Sequence, residues 1–135
     1  MLNHITPPDK LFIEASEIQS FAEITTGDDP NEIADRIASC SVYIARTGKM
    51  LADAKYHLNA KKKEETLSII SKILKNDKVS KTLQNSLIDS ICKEEQYLVD
   101  WIERLNKAVT HQMEACRSLL SYEKENLRIS NFNGN

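Results

Sequence analysis

Residues 30–58 read PNEIADRIASCSVYIARTGKMLADAKYHL, and this stretch decides the fold. After Pro30 the chain has no further proline, and between Glu32 and Ile129 its only glycine is Gly48. Apolar residues recur along the stretch at alternating intervals of about three and four, which is the spacing of a helix that packs along one side. We therefore predict long, uninterrupted helices.

Two such apolar stripes predict an all-α fold, a long antiparallel helical hairpin with coiled-coil-like spacing in a single domain. The turn-prone residues Asn76-Asp77-Lys78 separate them, so we predict long helices over 30–76 and 79–128 and a flexible tail over 129–135. The first stripe comprises Ile33, Ile37, Cys40, Ile44, Thr47, Leu51, Ala54 and Leu58, and it resumes at Ile69 and Ile73. The second comprises Ile88, Ile91, Glu95, Leu98, Ile102, Leu105, Val109, Gln112, Cys116 and Leu119.

A short amphipathic helix is predicted ahead of the hairpin, over about residues 8–24. Prolines at 7 and 8 suit its first turn, and Thr25-Thr26-Gly27 would end it. Asp29 is then the predicted N-cap of the first long helix, with Pro30 at the first helical position.

A second seam of small residues runs along the first long helix, beside the apolar stripe. Such a seam lets another helix approach closely, which would explain a glycine in the middle of a helix. The favoured occupant is the short N-terminal helix folding back, and the alternatives are a second copy of the chain or a foreign partner. Its residues are Ala34, Ala38, Ser41, Ala45, Gly48 and Ala52.

Basic residues are concentrated in the middle of the first long helix, whereas the N-terminal end of the chain is acidic. Clustered cations attract phosphate backbones, so this segment is a candidate nucleic-acid surface. Lys62 and Lys63 also occupy angular positions that neighbouring turns bury, and the hairpin register places them opposite Glu94 and Glu95. A charge layer across the hairpin is therefore the favoured interpretation. The basic residues are Arg46, Lys49, Lys55, Lys61, Lys62 and Lys63.

Catalytic, metal and cofactor chemistry are not indicated by the sequence. The cysteines at 40, 92 and 116 are widely separated within helical patterns and are best read as reduced, small apolar residues. His57 and His111 lie far apart in the predicted hairpin and lack the Glu-x-x-His pattern of helical metal sites. We therefore expect a cytoplasmic, non-catalytic protein with no cofactor and no membrane span.

Trp101 and Gln112 stand out on the second long helix. Trp101, the only tryptophan, lies at the edge of the stripe, where it either covers the core, the favoured reading, or anchors a partner. Gln112 occupies a seam position, and polar seam residues usually specify register or oligomeric state.

Two segments resemble small, uncharacterised helical accessory proteins of bacteriophages and prophages. They are ERLNKAVTHQMEACRSLLSYEKE at 103–125 and KMLADAKYH at 49–57. The resemblance implies an accessory protein that acts on a nucleoprotein machine, either the phage's own or a host defence complex. It implies no functional residue.

The leading hypothesis is a non-catalytic helical adaptor or inhibitor that binds a protein or ribonucleoprotein partner; its more specific form is an anti-CRISPR-like inhibitor of a host defence complex. One alternative is a nucleic-acid-binding accessory protein that uses the basic segment to hold RNA or DNA. Another is a structural coiled-coil subunit of a virion. The sequence leaves open whether the chain forms a homodimer.

Overall fold

A computed structural model describes residues 4–73 and 80–133, and within these ranges the secondary structure is helical, with no β-strand. Four α-helices follow one another in these residues: α1 (Pro8–Ala22), α2 (Pro30–Ile73), α3 (Lys81–Ile91) and α4 (Lys93–Asn133). The 44 residues of α2 and the 41 of α4 make rods of about 66 and 62 Å. The predicted turn at Asn76-Asp77-Lys78 lies outside the described residues.

The predicted antiparallel hairpin is confirmed, because α2 and α4 pack along each other in opposite directions. Arg36 of α2 contacts Gln112 of α4, Thr47 contacts Asn106, and Lys61 contacts Glu95, so residue numbers rise on one helix as they fall on the other. None of the helices in the described part is both long and apolar enough to cross a membrane.

The helix ends follow the local sequence. Pro8 begins α1, and the side chain of Asp29 accepts a hydrogen bond of 3.2 Å from the Asn31 amide at the start of α2. Ser80 caps α3 in the same way by accepting a bond from the Leu83 amide. These caps satisfy amides that the first helical turn leaves without a partner.

The second long helix differs from its prediction in two respects. It is interrupted at Cys92, so that α3 and α4 are separate helices. It also continues to Asn133, where the sequence predicted a flexible tail from 129. By contrast, α2 passes through the charged residues 59–66 without a break.

The core lies where α1 packs into the hairpin, mainly against α4. Because α1 covers one side of α2, the buried face of that helix is wider there than the apolar stripe predicts. Met50 is fully buried, whereas Leu51 of the predicted stripe is only half-buried. The buried apolar cluster comprises Leu11, Ala15, Ile18, Met50, Ala54, Leu58, Cys92, Leu98, Val99, Ile102, Leu105 and Val109.

Candidate functional site

The basic residues of α2 divide into those with partners inside the chain and those that face solvent. Arg46 donates to both carboxylate oxygens of Glu14 on α1, at 2.6 and 2.7 Å, and to the hydroxyl of Thr6 at 3.1 Å. Hydrogen bonding to Arg46 lowers the pKa of the Glu14 carboxyl, and Glu14 in turn raises the pKa of Arg46. Arg46 therefore holds α1 and the segment before it against α2.

Lys49 belongs to a second polar cluster that holds the residues before α1. Its ammonium donates to the His4 carbonyl at 2.8 Å and to the buried carboxylate of Asp53 at 2.5 and 2.6 Å. Asp53 also accepts the Thr6 amide at 3.1 Å, and His57 Nε2 lies 2.7 Å from the Thr6 carbonyl oxygen. Residues 4–6 are thus fastened to one side of α2.

The ionisation of Asp53 follows from these contacts. Burial alone would raise the pKa of its carboxyl. The hydrogen bonds from the Lys49 ammonium and from the Thr6 amide outweigh burial, and the pKa lies below its ordinary value. Asp53 is therefore a buried carboxylate with its charge paired.

The predicted charge layer across the hairpin is present at Lys61, which pairs with Glu95 at 3.1 Å. Hydrogen bonding to Glu95 raises the pKa of Lys61. Lys62 is half-buried, but Lys63 is exposed, so the expectation that both occupy buried positions is wrong for Lys63. The core face continues through 58, 61 and 65, which turns Lys63 to the opposite side.

The six basic residues do not form one basic face. At about 100° per residue, their positions are spread around the whole circumference of α2. Arg46, Lys49 and Lys61 have carboxylate partners within the chain, whereas Lys55 and Lys63 lie exposed on different sides of the helix. The geometry therefore concentrates little positive charge on any one surface.

The seam of small residues faces solvent along its whole length. Ala34, Ala38, Ser41, Ala45, Gly48 and Ala52 are all exposed. A Cβ built on Gly48 would meet no atom within 4 Å. The expectation that the N-terminal helix occupies this seam is wrong: α1 folds back, but the Arg46 and Lys49 clusters fasten it to another side of α2.

Trp101 fastens α1 to α4 within the chain. Its indole donates to Gln19 Oε1 at 3.1 Å, and its ring lies 6.0 Å from that of Phe12 between centroids. The side chain is half-buried and packs against the core cluster. This placement agrees with the core reading of Trp101.

A polar node joins α1, α2 and α4 around Arg36, a residue that the sequence analysis missed. Arg36 is 9% exposed and donates to the Phe21 carbonyl and to Gln112 Oε1, each at 2.8 Å. Gln112 in turn donates to the Ala22 carbonyl at 2.7 Å, and the guanidinium lies 3.9 Å from the Phe21 ring centroid. Together these side chains satisfy carbonyls that the end of α1 leaves free. The sequence contained one signal for the burial of Arg36, since it lies between Ile33 and Cys40 on the core side of the helix.

Redox and metal chemistry find little support in the described geometry. Cys40, Cys92 and Cys116 are free and buried, and burial raises the pKa of the Cys40 and Cys92 thiols. Over residues 4–73 and 80–133, no group of three His, Cys, Asp or Glu side chains is placed to hold a metal ion. His111 is exposed and lies 3.6 Å from Glu114.

The far end of the hairpin carries an apolar surface that the sequence analysis did not predict. In α3, Leu83, Leu87 and Ile91 are 51%, 43% and 43% exposed, and no residue of this helix is buried. Leu67 and Ile70 are exposed on α2 near the same end. We call Leu83, Leu87 and Ile91 of α3 the hairpin-end surface. Apolar clusters of this kind on a protein surface commonly mark interaction sites.

The comparisons with known proteins were negative. No family model matches the chain, and no curated protein or solved structure shows significant similarity to it.

Proposed function

We propose that this protein is a non-catalytic helical adaptor or inhibitor that binds a protein or ribonucleoprotein partner. The observation that carries the proposal is α3, an amphipathic helix that packs against the core through Ile88 but leaves Leu83, Leu87 and Ile91 exposed. The hairpin-end surface is the proposed binding site.

The length of α3 makes its exposure informative. It has 11 residues, and a helix this short is marginally stable in water unless its apolar side packs against something. Leu83, Leu87 and Ile91 follow one another at intervals of one helical turn. A partner that covers them would stabilise α3 and gain apolar burial at the same time.

The partner's chemistry follows from the composition of this surface. The hairpin-end surface is built from aliphatic side chains only, so its complement is an apolar groove or an apolar helix face. Each of these side chains is roughly half exposed, so covering it is worth on the order of 1 kcal/mol. The three side chains together could supply part of the free energy of a specific complex.

The pairing of the basic residues also favours a protein surface as the target. Three of the six candidate nucleic-acid residues, Arg46, Lys49 and Lys61, hold carboxylates of the same chain. A phosphate backbone would have to compete with these pairs. If the partner is a ribonucleoprotein, we propose that its protein component is contacted.

The resemblance to phage accessory proteins supports a more specific version of the proposal. In this version the partner belongs to a nucleoprotein machine, and the chain acts as an inhibitor of a host defence complex in the host cytoplasm, in the manner of anti-CRISPR proteins.

A capture experiment with matched variants tests the proposal. Wild-type protein, Leu83→Glu/Leu87→Glu and the control Thr82→Glu/Ser86→Glu serve as baits in bacterial and phage-infected lysates. Both pairs place the same charges on α3, but only the first pair lies on its apolar side. We expect a specific protein to bind the wild type and the control and to be lost from the first variant.

Two outcomes would count against the proposal. The first is equal capture by all three baits, which would exclude the hairpin-end surface. The second is capture of nucleic acid alone, with binding that weakens steeply as salt rises, which would favour the nucleic-acid hypothesis.

A further inference from the structure

A cleft lies between α4 and the residues that connect α1 to α2, beside the polar node around Arg36. Its volume is about 290 Å³. Arg36 and Gln112 line it with polar atoms. A concave, mainly apolar surface with a few converging polar groups is the usual form of a small-molecule site. We call it the Arg36 cleft; its apolar lining comes from Ala22, Ile24, Ala115 and Cys116.

Arg36 brings to this cleft a positive charge that no carboxylate of the described chain pairs with. The residue is 9% exposed, and its hydrogen bonds go only to neutral oxygens, the Phe21 carbonyl and Gln112 Oε1. It forms no ion pair within residues 4–73 and 80–133. A buried cation that meets only neutral acceptors is costly, so the site favours an added anion.

The bonding of the guanidinium determines which nitrogen a ligand can use. Both hydrogen bonds to the chain come from Nη2, and Nε is buried without an acceptor. The Phe21 ring covers one face, with its centroid 3.9 Å from Cζ. Nη1 is therefore the nitrogen that is left for a ligand, and a carboxylate there would gain a charge-assisted hydrogen bond.

The carboxylates near the cleft determine which anions fit. Glu23 lines the Arg36 cleft itself. Glu32 and Asp35 line an adjoining depression, which also contacts Arg36. Their repulsion increases with the charge of the ligand, so it penalises phosphate more than a monoanion. The apolar lining adds a preference for a ligand with a carbon skeleton.

We propose that the Arg36 cleft binds a small organic monocarboxylate with an apolar skeleton. The carboxylate contacts Nη1 of Arg36, and the skeleton lies against Ile24, Ala115 and Cys116. The volume is at the lower end for small-molecule sites, which suits an acid of roughly ten non-hydrogen atoms. This site is separate from the hairpin-end surface and does not rest on the proposed function.

Titration of the full-length protein with benzoate, followed by NMR, tests the proposal. We expect the amide signals of Ala115 and Cys116 and the side-chain amide of Gln112 to shift in one saturable step. The dissociation constant should be on the order of 1 mM, as is typical of so small a ligand. Benzyl alcohol, which keeps the ring but lacks the charge, should bind at least about ten-fold more weakly.

Variants of the lining test the location. Ala115→Leu narrows the cleft from α4 and should weaken benzoate binding at least about ten-fold. The control Ser118→Leu adds the same side chain at an exposed position of α4 outside the cleft, and it should bind like the wild type. Both variants leave Arg36 in place, so the test does not depend on the folding of an Arg36 variant. Glu23→Gln removes a negative charge from the lining and should tighten binding about two-fold or more.

Each contrary outcome overturns a defined part of the proposal. Signals that do not shift up to the solubility limit of benzoate refute the carboxylate site. Equal affinity for benzoate and benzyl alcohol refutes the role of the Arg36 charge. Equal binding by Ala115→Leu and the wild type refutes the location. Inorganic phosphate that shifts the same signals at lower concentration than benzoate refutes the preference for a monocarboxylate.

Discussion

Replacing Gly48 with alanine should stabilise the protein, although glycine is usually kept where space is short. Gly48 lies within α2, and the added Cβ would meet no atom within 4 Å. Alanine is favoured over glycine inside a helix by about 0.8 to 1 kcal/mol, and no steric cost opposes this gain. We expect the free energy of unfolding to rise by about that amount and the melting temperature by about 3 to 5 °C.

The measurement is thermal and denaturant unfolding followed by circular dichroism, at the lowest protein concentration that gives a signal, so that association contributes little. Ala52→Gly is the matched inverse, because Ala52 is exposed on the same helix. It should lower the stability by a similar amount, and the double variant Gly48→Ala/Ala52→Gly should return close to the wild type. A Gly48→Ala protein that is less stable than the wild type would refute the reasoning, because something would then occupy the space beside Gly48 in the monomer.

Three further predictions concern the polar clusters and the core. The pKa of Asp53 is lower in the folded protein than in the unfolded chain. The contribution of Asp53 to the free energy of unfolding is therefore complete above its unfolded pKa of about 3.9, and it is lost as the pH falls through the folded value. Asp53→Asn should therefore lower the free energy of unfolding by about 1 to 3 kcal/mol at neutral pH and reduce the loss of stability on acidification. Denaturant unfolding across that pH range measures both effects. An unchanged acid profile would show that the pairing contributes nothing. Arg36→Lys keeps the charge but loses the guanidinium geometry, so amide hydrogen exchange near the end of α1 should speed up about ten-fold while exchange in the middle of α4 stays unchanged; uniform acceleration would contradict this local role. A thiol reagent should label the native protein at least a hundred-fold more slowly than the unfolded chain, and rapid native labelling would contradict the burial of Cys40, Cys92 and Cys116.

The hairpin was predictable because its signals are local and repeated. The heptad stripes, the rarity of glycine and the two prolines at the start of α1 each act within a few turns of helix. Even the register could be anticipated, since helices of similar length around a short turn place Lys61 close to Glu95.

The position of α1 could not be read from the same signals. The amphipathic pattern of α1 indicates that it packs against the hairpin. Contacts between residues distant in sequence determine which side of the hairpin it packs on. Arg46 reaches Glu14 across 32 residues, and Gln112 reaches Ala22 across 90. Periodicity along one helix carries no information about such pairs, so the small-residue seam was assigned to the wrong neighbour.

The break at Cys92 could not be predicted from the sequence either, because no glycine or proline lies near it. It separates α3 from the long rod of α4, and the exposure of the α3 leucines became evident only with that geometry. Of the candidate site residues, the six basic side chains were easy to find in the sequence. The sequence did not show which of them have a carboxylate partner within the chain.

The polar bridges along the hairpin determine how it can respond to force. Asn106 donates to Thr47 Oγ1 and to the Ile44 carbonyl, while Arg36 and Gln112 act near one end and Lys61 and Glu95 near the other. Sliding α4 along α2 by one turn, about 5.4 Å, would break all of these contacts together. The hairpin should therefore be stiff and of fixed length. A partner bound at the hairpin-end surface would then be held at a constant distance from α1.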